Sequence, residues 1–315
     1  MDKILVIGAC GQIGSELTLA LRDTYGNANV FATDIKEANC ELAESGPFEI
    51  LDALDAKKLQ GFIHDHQINQ VYHLAAILSG NAEKNPLRSW EINMSSLMLL
   101  LETAKEMKLK RIFWPSSIAV FGPSTPMENT PQYTVMEPNT VYGISKLAGE
   151  RWIEYYFNKY GVDTRSVRYP GLISYKTEAG GGTTDYAVEI FYDAVRKGSY
   201  ECFLSSETAL PMMYMEDAIK ATIQLMESES SKLSLRSSYN MAGISFTPRQ
   251  LADEIKKWIP GFTISYKPDF RQAIADSWPS SIDDSVAQKD WGLTSEFNIS
   301  KMTEVMLREI KMKLL

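Results

Sequence analysis

The stretch "KILVIGACGQIG", residues 3–14, decides the fold of this chain. Its first half is an unbroken apolar run, which is typical of a strand buried on both faces of a parallel sheet. Its second half spaces Gly8, Gly11 and Gly14 three residues apart, and residues 13–26 then follow with helical periodicity. A strand, a glycine-rich turn and a helix in this order predict the first unit of a doubly wound α/β sheet.

Strands and helices continue to alternate outward from this unit to about residue 168. Further strands are predicted at 29–34, 69–76, 111–117 and 163–171, and further helices at 55–67, 89–109 and 141–161. This alternation predicts a parallel, doubly wound Rossmann sheet. Later helices near 185–197, 216–228, 248–258 and 300–313, with a strand at 200–204, follow less regularly. We therefore expect a Rossmann domain over 1–170, with a later contribution near 210–243, and a smaller α+β substrate lobe over 171–315.

Composition excludes several classes of partner. The 315 residues are 44% apolar and carry a formal net charge of −8, which argues against nucleic acid or an anionic membrane as the main partner. No apolar stretch approaches the roughly 20 residues of a spanning helix. A strand that begins at residue 3 leaves no room for a leader peptide. Together with three scattered cysteines (Cys10, Cys40 and Cys202), this predicts a cytoplasmic protein.

His64, Asp65 and His66 resemble metal ligands, but neighbouring helix positions point apart. We predict no metal site there.

The glycine spacing predicts a dinucleotide site. Gly8 permits the tight turn, Gly11 allows the backbone to approach a pyrophosphate, and Gly14 lets the helix pack on the strand. The N-terminus of that helix offers free N–H groups to the phosphates. Asp34 lies 20 residues after Gly14, where a carboxylate accepts hydrogen bonds from ribose hydroxyls and repels a 2′-phosphate, so NAD is predicted rather than NADP. The alternative for Asp34 is a solvated loop position. Asp52 ends the third predicted strand, where a carboxylate could meet the adenine amino group.

Tyr142 and Lys146 are the predicted chemical centre. They lie four residues apart on one helix, so they share a face. A nearby ammonium and a cationic nicotinamide would lower the pKa of the tyrosine and make it a general base. Ser116 and Ser117 end the preceding strand, where a hydroxyl could hold the same substrate oxygen or merely close a turn.

These motifs resemble the extended short-chain dehydrogenase/reductase superfamily. The matching stretches are "GACGQIG" (8–14), Asp34, "HLAA" (73–76), Asn93 in "EINM", "PSSIAVFG" (115–122), "YGISK" (142–146) and "RYPG" (168–171). The resemblance implies that Tyr142 is the base, that Lys146 supports it, and that Ser117 is the catalytic hydroxyl with Ser116 beside it. The NAD contacts that follow from this interpretation are Gly8, Gly11, Gln12, Ile13, Gly14, Asp34, Asp52, Ala53, Leu74, Ala75, Ala76, Asn93, Tyr142, Lys146 and Tyr169.

The segments "GGGTTDYAV" (180–188), "LPMMYMEDAIKA" (210–221) and "DSWPSSIDDSVAQKDWG" (276–292) look like the L-threonine 3-dehydrogenase branch of that superfamily. The resemblance implies oxidation of L-threonine to 2-amino-3-oxobutyrate. Thr183 and Thr184 could hold the substrate carboxylate at a helix N-terminus, or only cap that helix. Ser79 could add a hydrogen bond, and Trp278 could exclude water. With Ser117 and Tyr142, they form the predicted substrate site.

Two other functions stay open from the sequence. A nucleotide-sugar epimerase or dehydratase would use the same Tyr, Lys and Ser groups. It would also need basic groups for a diphosphate, which the last lobe could supply from Arg249, Lys256, Lys257, Lys267 and Arg271. A dinucleotide sensor without catalysis would need no base. The superfamily resemblance also implies a homodimer built on helices 89–109 and 141–161.

Overall fold

The computed structural model describes residues 2–177 and 180–314. In these ranges the strands are β1 (Ile4–Ile7), β2 (Val30–Asp34), β3 (Phe48–Ile50), β4 (Gln70–His73), β5 (Arg111–Phe113), β6 (Ser116–Ser117), β7 (Thr164–Arg165), β8 (Val167–Tyr169), β9 (Gly171–Ile173), β10 (Ser199–Cys202), β11 (Leu210–Tyr214), β12 (Tyr239–Asn240), β13 (Ile244–Phe246) and β14 (Thr263–Tyr266). The helices are α1 (Gln12–Tyr25), α2 (Cys40–Glu44), α3 (Ala56–Asp65), α4 (Ser79–Ala82), α5 (Pro86–Met107), α6 (Val141–Tyr160), α7 (Tyr186–Lys197), α8 (Met215–Glu227), α9 (Pro248–Trp258), α10 (Phe270–Ala275), α11 (Ser285–Trp291) and α12 (Ile299–Leu314).

A six-stranded parallel sheet in the order β3-β2-β1-β4-β5-β7 forms the centre of the described structure. Ile4 and Val6 of β1 lie in one apolar core with residues of α1 and α8. Leu5 and Ile7 lie in the opposite core with residues of α3, α5 and α6. Helices thus cover both faces, which explains the unbroken apolar run and confirms the predicted doubly wound sheet. The strand order reverses at β1, where a ligand crevice is expected.

Two strands predicted as continuous are broken. Residues 111–117 divide into β5 and β6, because Pro115 has no N–H to donate to the ladder. Residues 163–171 divide into β7, β8 and the start of β9, with Pro170 at the second break. β6 and β8 then pair in a small parallel sheet with β12. The break carries Ser116 and Ser117 away from the central sheet toward α6.

The last third of the chain contributes both to a separate apolar core and to the first half of the structure. Its helices α7, α9 and α12 enclose a third apolar core, which also takes in Trp278 and the turn Ile118–Val120. The segment near 210–243 returns to the first half of the chain, since α8 packs in the core beside α1 and β12 pairs with β8. In the part of the chain that is described, no helix is long and apolar enough to cross a membrane.

Candidate functional site

The glycines in the turn after β1 leave the backbone open on one side, and side chains at these positions would fill that space. Gly8 has φ +85°, and a Cβ added there would lie 2.7 Å from the backbone nitrogen of Ala75. A Cβ on Gly14 would lie 2.2 Å from the carbonyl oxygen of Gly8. Gly11 precedes α1, whose N-terminus has no side-chain cap among the described residues. Its N–H groups therefore remain available to an anion.

Asp34 is held rigidly at the end of β2. Its Oδ2 accepts the Cys10 N–H at 2.9 Å and its Oδ1 accepts the Lys36 N–H at 3.0 Å. The carboxylate lines a cavity of about 350 Å³. The predicted cofactor residues that share this cavity are Gly8, Gly11, Asp34, Asp52, Ala53, Leu74, Ala75 and Ala76. These residues fit NAD, since the glycine-rich turn after β1 and the helix terminus suit a pyrophosphate and the carboxylate suits ribose hydroxyls.

Asn93 is not among the residues that line this cavity, and its contact with NAD stays a prediction. Its side chain accepts the Ile77 N–H at 2.8 Å and donates to the Ile77 carbonyl at 3.1 Å. It therefore fixes the loop after β4 instead of lining the cavity. Asp52 is exposed and lines the cavity, and its Oδ1 accepts the Leu54 N–H at 2.9 Å, so its contact with adenine stays a prediction.

Tyr142 and Lys146 share one face of α6, as predicted. The helix begins after Thr140, whose hydroxyl accepts the Gly143 N–H at 3.1 Å. Lys146 is 3% exposed, and its Nζ donates to the Pro115 carbonyl at 2.6 Å. The Nζ also lies 5.5 Å from the centre of the Tyr142 ring. The ammonium is thereby aimed at the region around the phenol.

Burial is the main influence on the pKa of Tyr142 in the chain without a cofactor. Burial raises the pKa of this phenol to about 12, while a hydrogen bond with Ser117 opposes the rise. Burial also lowers the pKa of Lys146 to about 7, and the carboxylate of Glu150 opposes that change. Desolvation disfavours charge on both groups and is the larger effect in the chain alone, whereas the predicted lowering of the Tyr142 pKa also requires the cationic nicotinamide of bound NAD⁺.

The two serines of β6 point to different partners. The Ser117 hydroxyl lies beside Tyr142 and lowers the pKa of its phenol, and its oxygen accepts the Ala119 N–H at 3.2 Å. Ser116 instead donates to Oε1 of the buried Glu150 at 2.6 Å. The hydroxyls of the two serines thus have different partners, as expected for successive residues of a strand, although both residues line the cavity beside Tyr142.

A second cavity, of about 140 Å³, lies beside this centre. The six residues predicted to bind substrate all line it: Ser79, Ser117, Tyr142, Thr183, Thr184 and Trp278. The predicted cofactor residues Gln12, Ile13, Leu74, Ala76, Lys146 and Tyr169 line it as well. Leu74 and Ala76 also line the first cavity, so the two cavities adjoin. A dinucleotide can therefore reach the tyrosine from the glycine-rich turn after β1.

The glycine-rich segment closes one side of the second cavity. Asp185 precedes α7, and its Oδ2 accepts the N–H groups of Gly181 and Gly182, each at 2.6 Å. Thr183 is 1% exposed, and its hydroxyl has no hydrogen-bond partner among the described residues. The two threonine side chains therefore do not cap α7, and the Thr183 hydroxyl retains its capacity to form a hydrogen bond inside the cavity.

The five basic residues that could have held a diphosphate are already occupied. Each pairs with a carboxylate on the surface of the last lobe: Arg249 with Glu207, Lys256 with Asp253, Lys257 with Glu254, Lys267 with Glu201, and Arg271 with Asp269. The residues that line the second cavity do not include them. In the described ranges, no group of three or more His, Cys, Asp or Glu side chains could hold a metal ion.

Three residues near the proposed site were not predicted from the sequence: Trp114, Pro115 and Arg88. Trp114 lies under Lys146, with the Nζ 4.3 Å from its ring centre, and Pro115 supplies a carbonyl. Their position inside "WPSS" next to the serines was an available signal. Arg88 lines the nucleotide cavity from the start of α5, and nothing in the sequence links it to residues 8–34.

Comparisons with known proteins agree with this geometry. The family model for the NAD dependent epimerase/dehydratase family matches residues 4–242, and the chain belongs to that family. An uncharacterized epimerase/dehydratase of Staphylococcus haemolyticus is 50% identical over 315 residues, with 99% of each chain covered. These matches confirm the predicted superfamily and its cofactor, NAD.

Solved structures add a finer likeness. A partial consensus L-threonine 3-dehydrogenase is 56% identical, with 99% of this chain and 100% of that one covered and a TM-score of 0.97. An L-threonine dehydrogenase from Cupriavidus necator, in its holo form, is 55% identical, with 98% and 100% covered and a TM-score of 0.96. A monomeric L-threonine 3-dehydrogenase from a metagenome is 48% identical, with 98% and 99% covered and a TM-score of 0.95. The predicted relation to NAD-dependent L-threonine 3-dehydrogenases is confirmed.

Proposed function

We propose that this chain oxidises L-threonine at its 3-hydroxyl to 2-amino-3-oxobutyrate. The observation that carries the proposal is the second cavity, where residues from 79 to 278 meet beside Tyr142. Its 140 Å³ suits a single amino acid and is far below the volume of sites that hold larger ligands. The unpartnered hydroxyl of Thr183 and the N-terminus of α7 suit the substrate carboxylate.

The side chains have separate tasks in this proposal. NAD⁺, when bound, supplies the hydride acceptor. Tyr142 accepts the proton of the substrate hydroxyl, and Ser117, which lines the same cavity, donates a hydrogen bond that orients that hydroxyl. Lys146, held by the Pro115 carbonyl, places positive charge beside the phenolate that must form. Trp278, which is 5% exposed, keeps water from the reacting atoms.

The rate should rise with pH. Tyr142 must lose its proton to act as a base, and burial places the pKa of its phenol at about 12 in the chain alone. Acidification therefore protonates the base and lowers kcat, whereas alkaline conditions raise kcat until the enzyme unfolds. A kcat that is flat from pH 6 to 10 would contradict a rate-limiting role for this proton.

Absorbance of NADH with L-threonine, D-threonine, L-serine and UDP-glucose as substrates tests the proposal. We expect turnover with L-threonine, a fall in kcat of about 10²- to 10⁴-fold for Tyr142→Phe, and an unchanged Kd for NAD⁺. Tyr133, which is 73% exposed, provides the control, because Tyr133→Phe should leave kcat unchanged. Conversion of UDP-glucose without oxidation of L-threonine would show that the chain is an epimerase or dehydratase instead. NAD⁺ binding without turnover of any alcohol would favour the sensor.

We also propose that the chain works as a cytoplasmic homodimer. Several large side chains on α5 and α6 are exposed: Leu87, Trp90, Ile144, Trp152, Tyr155 and Tyr160. Exposed apolar side chains on two adjacent helices support an interface between copies. Cell fractionation that recovers the native protein with the membrane or in an exported fraction would contradict the location.

A further inference from the structure

Ser116, Glu150 and Arg168 form a buried polar group behind the proposed catalytic centre. They are 2%, 0% and 2% exposed. The Arg168 guanidinium binds both carboxylate oxygens of Glu150, at 2.9 and 2.8 Å, and Ser116 donates to the same carboxylate at 2.6 Å. The remaining guanidinium nitrogen, Nη1, donates to Asn240 Oδ1 at 3.0 Å and to the Gln132 carbonyl at 3.2 Å.

This group joins the two elements that carry the proposed chemistry. Ser116 stands directly before Ser117 on β6, and the β6–β8 register places Ser116 opposite Arg168. Glu150 stands one helical turn after Lys146 on α6, which itself follows Tyr142 by one turn. The Ser116–Glu150 hydrogen bond is thus a cross-link between the strand with the orienting hydroxyl and the helix with the base and its ammonium.

A contribution to the stability of the fold does not by itself explain this buried polar group. A buried ion pair is expensive to desolvate, and well-packed apolar side chains often stabilise a fold equally well. A fully satisfied buried network does, however, hold its members in one geometry.

We propose that Ser116 and Glu150 are positioning residues, which set the distance between the Ser117 and Tyr142 hydroxyls and keep a carboxylate one turn from Lys146. The inference rests on the proposed function for its kinetic consequences, although the geometry at Tyr142 can be measured without it. The residues predicted as a serine pair thus have two tasks, with Ser117 facing the substrate and Ser116 fixing its neighbour.

The charges around Lys146 agree with this assignment. Tyr142 and Glu150 face it from α6, and Arg168 on β8 is already paired with Glu150. His73 approaches from β4, but burial lowers the pKa of its ring to about 3, so it is neutral at working pH. Glu150 is therefore the anionic side chain that favours the protonated form of Lys146 in this surrounding.

Ser116→Ala is the decisive variant, because it removes the cross-link and leaves the Glu150–Arg168 pair intact. Ser166→Ala is the matched control, since Ser166 is equally buried and shares a 2.6 Å hydrogen bond with Ser238 outside the site. We expect kcat for L-threonine to fall about 10- to 100-fold in Ser116→Ala only, with an unchanged Kd for NAD⁺. The rising limb of kcat against pH should move to higher pH, because the Ser117 hydrogen bond that lowers the pKa of Tyr142 is loosened.

The second readout is the ¹³Cζ NMR signal of Tyr142 in labelled protein, assigned by its loss in Tyr142→Phe. We expect Ser116→Ala to shift this signal and its titration, and Ser166→Ala to leave both unchanged. A kcat within twofold of wild type together with an unmoved Tyr142 signal would overturn the proposal. If the wild type does not oxidise L-threonine, the proposed function fails, and the NMR signal alone decides whether Ser116 positions the site.

Glu150→Gln adds a test of the charge, since it keeps an acceptor for Ser116. We expect its kcat–pH profile to move to higher pH, because a less protonated Lys146 supports the phenolate less well. If this variant does not fold because Arg168 has lost its charged partner, Ser116→Ala and its control still decide the proposal.

Discussion

At the scale of single residues, the proposed binding sites differ in how they hold their polar atoms. Asp34 is saturated on its protein side by two backbone N–H groups, so its orientation is set before any cofactor arrives. Thr183 is the opposite case, with a buried hydroxyl that finds no partner in the described structure. A side chain whose orientation is set before binding increases affinity. A buried hydroxyl without a partner favours a ligand that supplies the missing hydrogen bond.

Asp34→Asn should therefore relax the choice of cofactor. The amide keeps an acceptor for a backbone N–H but removes the charge that repels a 2′-phosphate and weakens the hydrogen bonds to ribose. We expect the KM for NAD⁺ to rise by about 10- to 100-fold and the preference over NADP⁺ to shrink, measured by initial rates with each cofactor. Asp65→Asn, at an exposed carboxylate at the end of α3 that does not line the cavity, is the control. Equal preference in wild type and Asp34→Asn would remove Asp34 from the cofactor assignment.

At the scale of elements, the substrate cavity depends on how β9 meets the segment before α7. Gly171 begins β9, and Thr184 packs directly against it. A similar contact lies on the other side of the segment, where a Cβ on Gly80 of α4 would come within 2.3 Å of the Gly181 carbonyl oxygen. Two separate elements thus approach the glycine-rich segment at distances that only glycine allows, and they fix where Thr183 and Thr184 lie.

Gly171→Ala should displace Thr184. The added Cβ would lie 2.7 Å from the Thr184 Cβ and 2.3 Å from the Met212 sulfur, so at least one neighbour has to move. We expect a KM for L-threonine about tenfold higher, with the KM for NAD⁺ unchanged, from steady-state kinetics. Gly61→Ala in α3 is the control, because a Cβ there meets nothing within 4 Å. An unchanged KM for L-threonine in a folded Gly171→Ala protein would argue against Thr184 as a substrate contact.

At the scale of the whole molecule, the exposed aromatic surface on α6 is the main unexplained feature. Trp152, Tyr155 and Tyr160 are 40%, 42% and 43% exposed. Together with Tyr156 they form a series of edge-to-face ring contacts. The helix is packed beside α5, which adds Leu87 and Trp90. Burial of this surface against a second copy would remove it from water, which is the usual driving force of obligate interfaces.

Trp152→Glu should separate such a dimer into monomers. A charge in the centre of an apolar interface is costly to bury, so we expect sedimentation velocity to report a dimer for wild type and a monomer for the variant. Trp258→Glu is the control, since Trp258 is 48% exposed on α9, on a helix outside the α5–α6 surface. A wild type that sediments as a monomer at micromolar concentration would contradict the homodimer.

Local patterns in the sequence were sufficient to predict the parallel sheet, the glycine-rich turn, the position of Asp34 and the shared helix face of Tyr142 and Lys146. Each depends on residues close in sequence, through the period of a strand or helix or the steric needs of one turn. The tertiary structure decided the rest, because it depends on which distant groups meet. It turned Ser116 toward Glu150, placed Asn93 on the loop at Ile77, and brought Trp278 to the cavity. It also set the desolvation that raises the pKa of Tyr142 in the chain alone, since desolvation depends on everything packed around a group and not on its neighbours along the chain.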